Sequence, residues 1–244
     1  LHLSIRRQRQ MCIRDRICIS NLNCIKMLME INADNSKMVN GQIKPINGMT
    51  EKLVSIFNSL NREDFIPEEF KQSSYVEKNL VLSNHRVILK PELVARIAMY
   101  IDLNENENVL ILGSTTGYLT AVLSLIAETI IVVEEDNSYI KSSELATKKN
   151  NLNNVIYINK SIANGCIEQS PFNAIVIEGA LDHVPQKLLN QLETGGRLIA
   201  ILSENGLCNA KMFTRKETMF HSKQLFPCSL PVLPSFKEKN IFSF

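Results

Sequence analysis

The feature that most constrains this chain is the run Asn108-Val109-Leu110-Ile111-Leu112-Gly113-Ser114-Thr115-Thr116-Gly117-Tyr118, with Ile130-Ile131-Val132-Val133-Glu134 a short distance beyond it. Four consecutive apolar residues, Val109 to Leu112, do not alternate between core and solvent. They predict a strand buried on both faces, as in a parallel sheet. Gly113 and Gly117 bracket a tight turn. The apolar stretch from Gly117 to Ala127 predicts a helix lying on that sheet. Ile130 to Val133 predicts the next strand, with Glu134 at its carboxyl end. Nucleotide-type ligands of open α/β sheets bind just beyond the carboxyl ends of the strands.

The rest of the chain is organised around this unit. Thr50 is placed to cap a helix over Glu51 to Leu60, whose Leu53, Val54, Phe57 and Leu60 share one face. Pro67 ends regular structure, and residues 68–86 read as loop. Pro91 opens a helix at its first turn, where a missing N–H has no consequence. Downstream, Asn137 or Ser138 caps a polar helix running to Asn150, and Val155 to Ile158 is a third strand. Phe172 to Glu178 is a fourth. Pro185 starts a helix that Gly195-Gly196 terminates, and Arg197 to Leu202 is a fifth strand. Lys211 to Arg215 and Phe220 to Phe226 read as an antiparallel hairpin at the sheet edge. Alternating strands and helices imply a mostly parallel, Rossmann-like sheet with right-handed crossovers. The expected organisation is a helical amino-terminal cap at 27–104 and an α/β core at 105–236, effectively one domain over 27–244.

Charge and cysteines narrow the function. The net charge is +2, yet residues 1–26 carry Arg6, Arg7, Arg9, Arg14, Arg16 and Lys26 against Asp15, which is +5 and leaves −3 for the remainder. A nucleic-acid partner is not expected for such a body. Met11-Cys12-Ile13-Arg14-Asp15-Arg16 looks like the translation of a sequencing-library transposon end, so residues 1–26 are expected to be a non-native leader, with a signal peptide as the rival. Outside it, Cys166, Cys208 and Cys228 have no Cys-x-x-Cys spacing, which favours reduced thiols in the cytoplasm over a disulfide framework or zinc site. Glu128 interrupts the best apolar run, so no membrane span is expected.

Three ligand classes compete for the glycine turn. A phosphate-cradling loop needs Gly-x-x-x-x-Gly-Lys-Ser/Thr, and Gly113 to Gly117 is too short and lacks the lysine. A dinucleotide turn wants Gly-x-Gly-x-x-Gly, and here Gly113 and Gly117 have no glycine between them. A nucleoside-binding methyltransferase uses a glycine turn after one strand and an acid after the next, the carboxylate accepting from the vicinal ribose hydroxyls. Glu134, 21 residues after Gly113, fits that third class. Glu134-Glu135-Asp136 does not converge as a metal cluster, and no metal is expected.

Several stretches resemble the protein-L-isoaspartate O-methyltransferase family, a branch of the class I S-adenosylmethionine (SAM) methyltransferases. They are Arg62-Glu63-Asp64-Phe65-Ile66-Pro67, Val109 to Gly113 with Gly117-Tyr118, Val133-Glu134, and Val184-Pro185 through Gln191-Leu192-Glu193-Thr194-Gly195-Gly196-Arg197-Leu198. The resemblance implies a class I SAM-methyltransferase fold and SAM as cofactor. It implies methyl transfer to a protein or peptide carboxylate, as in repair of isoaspartyl damage. Gly113, Ser114, Gly117, Glu134 and, at the end of the fourth strand, Glu178 are the expected cofactor contacts; Arg86, just before the altered substrate motif and able to pair with an acceptor carboxylate, and His183, in the loop after the fourth strand, are the substrate candidates. The family pattern also breaks. Ile111 and Thr115 replace the acid and middle glycine of its first motif, and Asn159-Lys160 replace its Gly-Asp. Its Thr-x-Ser-x-Pro substrate motif reads Val87-Ile88-Leu89-Lys90-Pro91, so Leu89 stands at the family serine and no catalytic residue is assigned. A methyltransferase of other specificity, or a non-catalytic SAM-binding or scaffold homologue, are the alternatives.

Overall fold

A computed structural model describes residues 33–82, 85–204 and 206–237. The leader expected at 1–26 lies outside the described residues. Nine strands are described: β1 (Leu80–Val81), β2 (Val87–Ile88), β3 (Asn108–Leu112), β4 (Thr129–Glu134), β5 (Val155–Asn159), β6 (Phe172–Leu181), β7 (Leu192–Glu204), β8 (Leu207–Lys216) and β9 (Met219–Cys228). A helical stretch over 33–43 precedes five further α-helices among the described residues: α1 (Glu51–Ser59), α2 (Pro91–Ile101), α3 (Tyr118–Ser124), α4 (Asn137–Lys149) and α5 (Gln186–Leu189). The main sheet has the order β5-β4-β3-β6-β7-β8-β9. β5 through β7 run parallel, and β8 and β9 add the antiparallel edge. β1 and β2 form a separate two-stranded hairpin.

The continuous apolar runs are explained by two cores, one on each face of the sheet. Val109 and Ile111 of β3, Ile130 and Val132 of β4, and Ala174 and Val176 of β6 point into a cluster shared with α1, α2 and α3. Their neighbours Leu110, Leu112, Ile131, Val133, Ile175 and Ile177 point the other way, against Leu188, Leu189, Leu233 and Phe236. Successive side chains alternate faces, and both faces are dry.

Local chemistry sets the helix ends. Thr50 Oγ1 accepts from the Leu53 amide at 3.3 Å, as expected of a cap. At α4 the cap is Asp136, not Asn137 or Ser138. Its carboxylate accepts from the Ser138 amide at 2.7 Å, and being anionic it also suits the positive end of the helix. α5 is shorter than the sequence suggested and does not reach Gly195. Its last turn closes at Asn190, and β7 begins at Leu192. The pairing of β6 with β7 jumps from Phe172↔Leu192 to Ala174↔Arg197, so residues 193–196 bulge out of the ladder. Gly195 has φ 86, and a Cβ on Gly196 would lie 2.9 Å from two carbonyl oxygens, so both glycines serve the bulge.

The run most specific to the resemblance thus has structural work. Gln191 Oε1 accepts from the Cys166 amide at 2.8 Å and its Nε2 donates to the Asn164 carbonyl at 2.8 Å, holding the loop before β6. Arg197 forks onto Glu107 at 2.6 and 2.8 Å and donates to the Ile101 and Asp102 carbonyls, fastening the end of α2 to the sheet.

Candidate cofactor-binding site

The register Leu112↔Val133 and Leu112↔Ile177 brings the carboxyl ends of β3, β4 and β6 level. Gly113, Glu134 and Glu178 therefore follow one another across the sheet edge. The Gly113 amide bonds to the Val133 carbonyl at 3.0 Å, and φ there is 84. Gly117 begins the turn into α3 with φ 86, and a Cβ on it would lie 2.3 Å from Ser143 Oγ of α4. Only glycine combines that conformation with that approach.

Glu134 is fully buried and fully engaged. Its Oε1 accepts from the Glu135 and Asp136 amides at 2.8 and 2.9 Å. Its Oε2 pairs with Nη2 of Arg86, itself buried. The same Arg86 nitrogen donates to the Gly113 carbonyl at 2.7 Å, and the guanidinium lies 5.1 Å above the Tyr139 ring. A Cβ built on Gly113 would meet Leu233 Cδ1 at 3.6 Å and Arg86 Nη2 at 3.7 Å. Leu233 also sits on Gly179, where a Cβ would come within 2.5 Å of its Cγ. The segment bearing Leu233 is bonded to the end of β6, Leu233 donating to the Ala180 carbonyl at 2.8 Å, and Ser235 Oγ reaches Glu135 at 2.5 Å.

Glu178 is buried on the other side of the glycine turn. Its Oε1 accepts from Thr115 Oγ1 at 3.0 Å, while Oε2 has no partner among the described residues. Burial pushes its carboxyl up to about 7, against the opposing pull of the Thr115 hydrogen bond and the Arg86 charge.

The structure thus brings Gly113, Gly117, Glu134, Glu178 and Arg86 together. Arg86, expected to face an acceptor carboxylate, faces Glu134 instead, because its hairpin directs it inward over the glycine turn. Ser114 turns away, its hydroxyl 3.1 Å from that of Thr120. His183 is exposed in the loop after β6. Val87 and Leu89 are buried in the main core, so the two family hydroxyl positions face packed side chains. Three residues have roles that the sequence reading did not assign. Thr115 spans Glu178 and the Val87 carbonyl, the latter at 3.3 Å. Arg62 is buried, donates to the Ser74 and Leu89 carbonyls at 2.7 and 2.6 Å, and stacks 4.6 Å over Tyr118. Leu233 is the third, and nothing in its local sequence marks it.

Residues 33–232 match the family model described as protein-L-isoaspartate(D-aspartate) O-methyltransferase (PCMT). The chain belongs to that family. A protein-L-isoaspartate O-methyltransferase of Helicobacter pylori (strain G27) is 30% identical over 184 residues, covering 75% of this chain and 88% of the relative. One of Myxococcus xanthus is 32% identical over 147 residues, covering 60% and 69%. The fold agrees with solved structures. A structure named protein-L-isoaspartate O-methyltransferase superposes with TM-score 0.72 at 21% identity; the match covers 81% of this chain and 65% of that one. A Plasmodium falciparum chain described under the same activity, in complex with S-adenosyl-L-homocysteine, gives TM-score 0.71 at 18% identity, over 82% and 98%.

The residues can be tested against SAM, the cofactor implied by the family. In type they suit it, with two carboxylate oxygens on Glu134 for a diol and an open backbone face at Gly113. In arrangement they do not. Both oxygens of Glu134 are taken by groups of the chain itself, and Arg86 and Leu233 cover Gly113. SAM does not fit these residues while Arg86 and Leu233 stand where they do.

Proposed function

We propose that this member of the protein-L-isoaspartate O-methyltransferase family is a SAM-dependent methyltransferase whose acceptor is the carboxylate of an isoaspartyl residue in a damaged protein. SAM is the cofactor, and proteins bearing isoaspartyl residues are the substrates. The observation that carries the reading is the family match over 33–232, which includes the Gly113–Glu134 unit and the Gln191 to Leu198 run. An acceptor carboxylate is already anionic at neutral pH, so the protein must align and dehydrate it and has no proton to remove. That requirement is compatible with buried Val87 and Leu89 in place of hydroxyls. The same two residues favour a second reading, a methyltransferase of different acceptor specificity, since neither side chain can hydrogen-bond an isoaspartyl group.

The assigned cofactor contacts are Gly113, Gly117, Glu134 and Glu178, with Ser114 contributing through its backbone. A cytoplasmic location accords with the free thiols Cys166, Cys208 and Cys228. Among the described residues no helix is long and apolar enough to cross a membrane. Transfer of labelled methyl from SAM to an isoaspartyl peptide, with the aspartyl peptide as control, tests the reading.

A further inference from the structure

We propose that Arg86 is an internal latch on the cofactor site, a side chain that competes with the ribose for Glu134 and must swing out before SAM can bind. The inference rests on the methyltransferase reading and adds to it a cost of opening built into the chain.

Arg86 satisfies what a ribose would otherwise satisfy. Its Nη2 donates to Glu134 Oε2 and to the Gly113 carbonyl, two atoms that frame the entrance to the glycine turn. A guanidinium is a stronger partner for a carboxylate than a neutral diol. The closed arrangement is therefore stable by itself, and the apparent affinity for the cofactor falls by the fraction of molecules that are open.

The latch is a flexible side chain on an anchored backbone. Arg86 immediately precedes β2, its carbonyl accepts from the Leu82 amide at 2.7 Å, and Val87 and Ile88 after it are buried, so the backbone is held and the swing is that of the long side chain about its own torsions. The residue before Arg86, His85, has φ 59 in the left-handed region that a branched or bulky side chain disfavours. Arg86 Nε, buried, finds no partner among the described residues. The closed state thus holds an orphaned donor, which outward rotation of the side chain would expose to water. Leu233 closes the neighbouring face over Gly113 and Gly179. Its segment is tied by backbone hydrogen bonds to Ala180.

The test is calorimetric titration of the full 244-residue chain with S-adenosylhomocysteine, in wild type and in Arg86→Gln, with Arg86→Lys as a variant that keeps a cation beside Glu134. The latch requires tighter binding in Arg86→Gln, by about tenfold or more, and a smaller gain in Arg86→Lys. A side chain that merely packs would give the opposite sign, since its loss loosens the site. Wild type that binds while folded variants bind equally or less well overturns the latch and leaves the methyltransferase reading standing. If neither wild type nor either variant binds at millimolar ligand, the methyltransferase reading falls, and the latch with it.

Discussion

Glu178→Gln should stabilise the protein, and by an amount that depends on pH. The Glu178 carboxyl is held at about 7, against an ordinary value of 4.5, chiefly because burial disfavours its charged form. A carboxyl raised in this way stabilises the fold while protonated. That contribution is fully present below the unfolded value and is lost as pH rises through the folded one. The difference between 4.5 and about 7 corresponds to about 3 kcal/mol lost between mildly acidic pH and pH 8. Glutamine keeps the acceptor for Thr115 Oγ1 and cannot ionise, so the variant does not bear that loss. For a chain of this size about 3 kcal/mol is a shift of roughly 6–12 °C in midpoint. Thermal melts of wild type and Glu178→Gln at several pH values from 5 to 8.5 would show it. The two curves should lie close at the acid end and separate steadily as pH rises. A difference that is flat with pH would show that Glu178 is ionised throughout, and the account of a dry, self-filled site would fail with it.

Two further outcomes follow from the same geometry. Gly117→Ala places a Cβ 2.3 Å from Ser143 Oγ at φ 86, so it should cost about 2 kcal/mol or more in denaturant unfolding; an unchanged midpoint would refute the close contact of α3 and α4. Glu134→Gln leaves the buried Arg86 without its anion and takes a charged acceptor from the ribose. It should lower the melting temperature, and in an Arg86→Gln background, where no latch is left to release, it should weaken S-adenosylhomocysteine binding about tenfold; unaltered affinity in that background would remove Glu134 from the site.

The fold was legible wherever pattern and packing agree. The unbroken apolar runs at 109–112, 130–133 and 174–177 required a sheet covered on both faces, and the two cores are that requirement met. Elements read from glycine punctuation were less secure. Gly195-Gly196 looked like a helix stop because glycine is common there, yet the pair serves a bulge in β7, a feature set by the β6 ladder and invisible locally. The candidate site divides in the same way. Gly113, Gly117 and Glu134 could be found by spacing, since their roles are fixed by adjacent backbone. The distant side chains that close over them could not. Arg86 is 48 positions away and Leu233 comes from beyond the final hairpin, so only the tertiary fold sets them against the glycine turn. The replacements at Thr115, Val87 and Leu89 read in sequence as losses. In the structure they form a connected set, with Thr115 bonded to Glu178 and to the Val87 carbonyl and Leu89 packed in the core.

The central claim is that this chain, for all its internal closure, moves a methyl group from SAM to an isoaspartyl carboxylate. The most direct test incubates the full chain with methyl-labelled SAM and a matched pair of peptides, one isoaspartyl and one aspartyl. Base-labile label in the isoaspartyl peptide alone, with stoichiometric S-adenosylhomocysteine, is the expected result. Equal labelling of both peptides, or none in either while S-adenosylhomocysteine still binds, would contradict it.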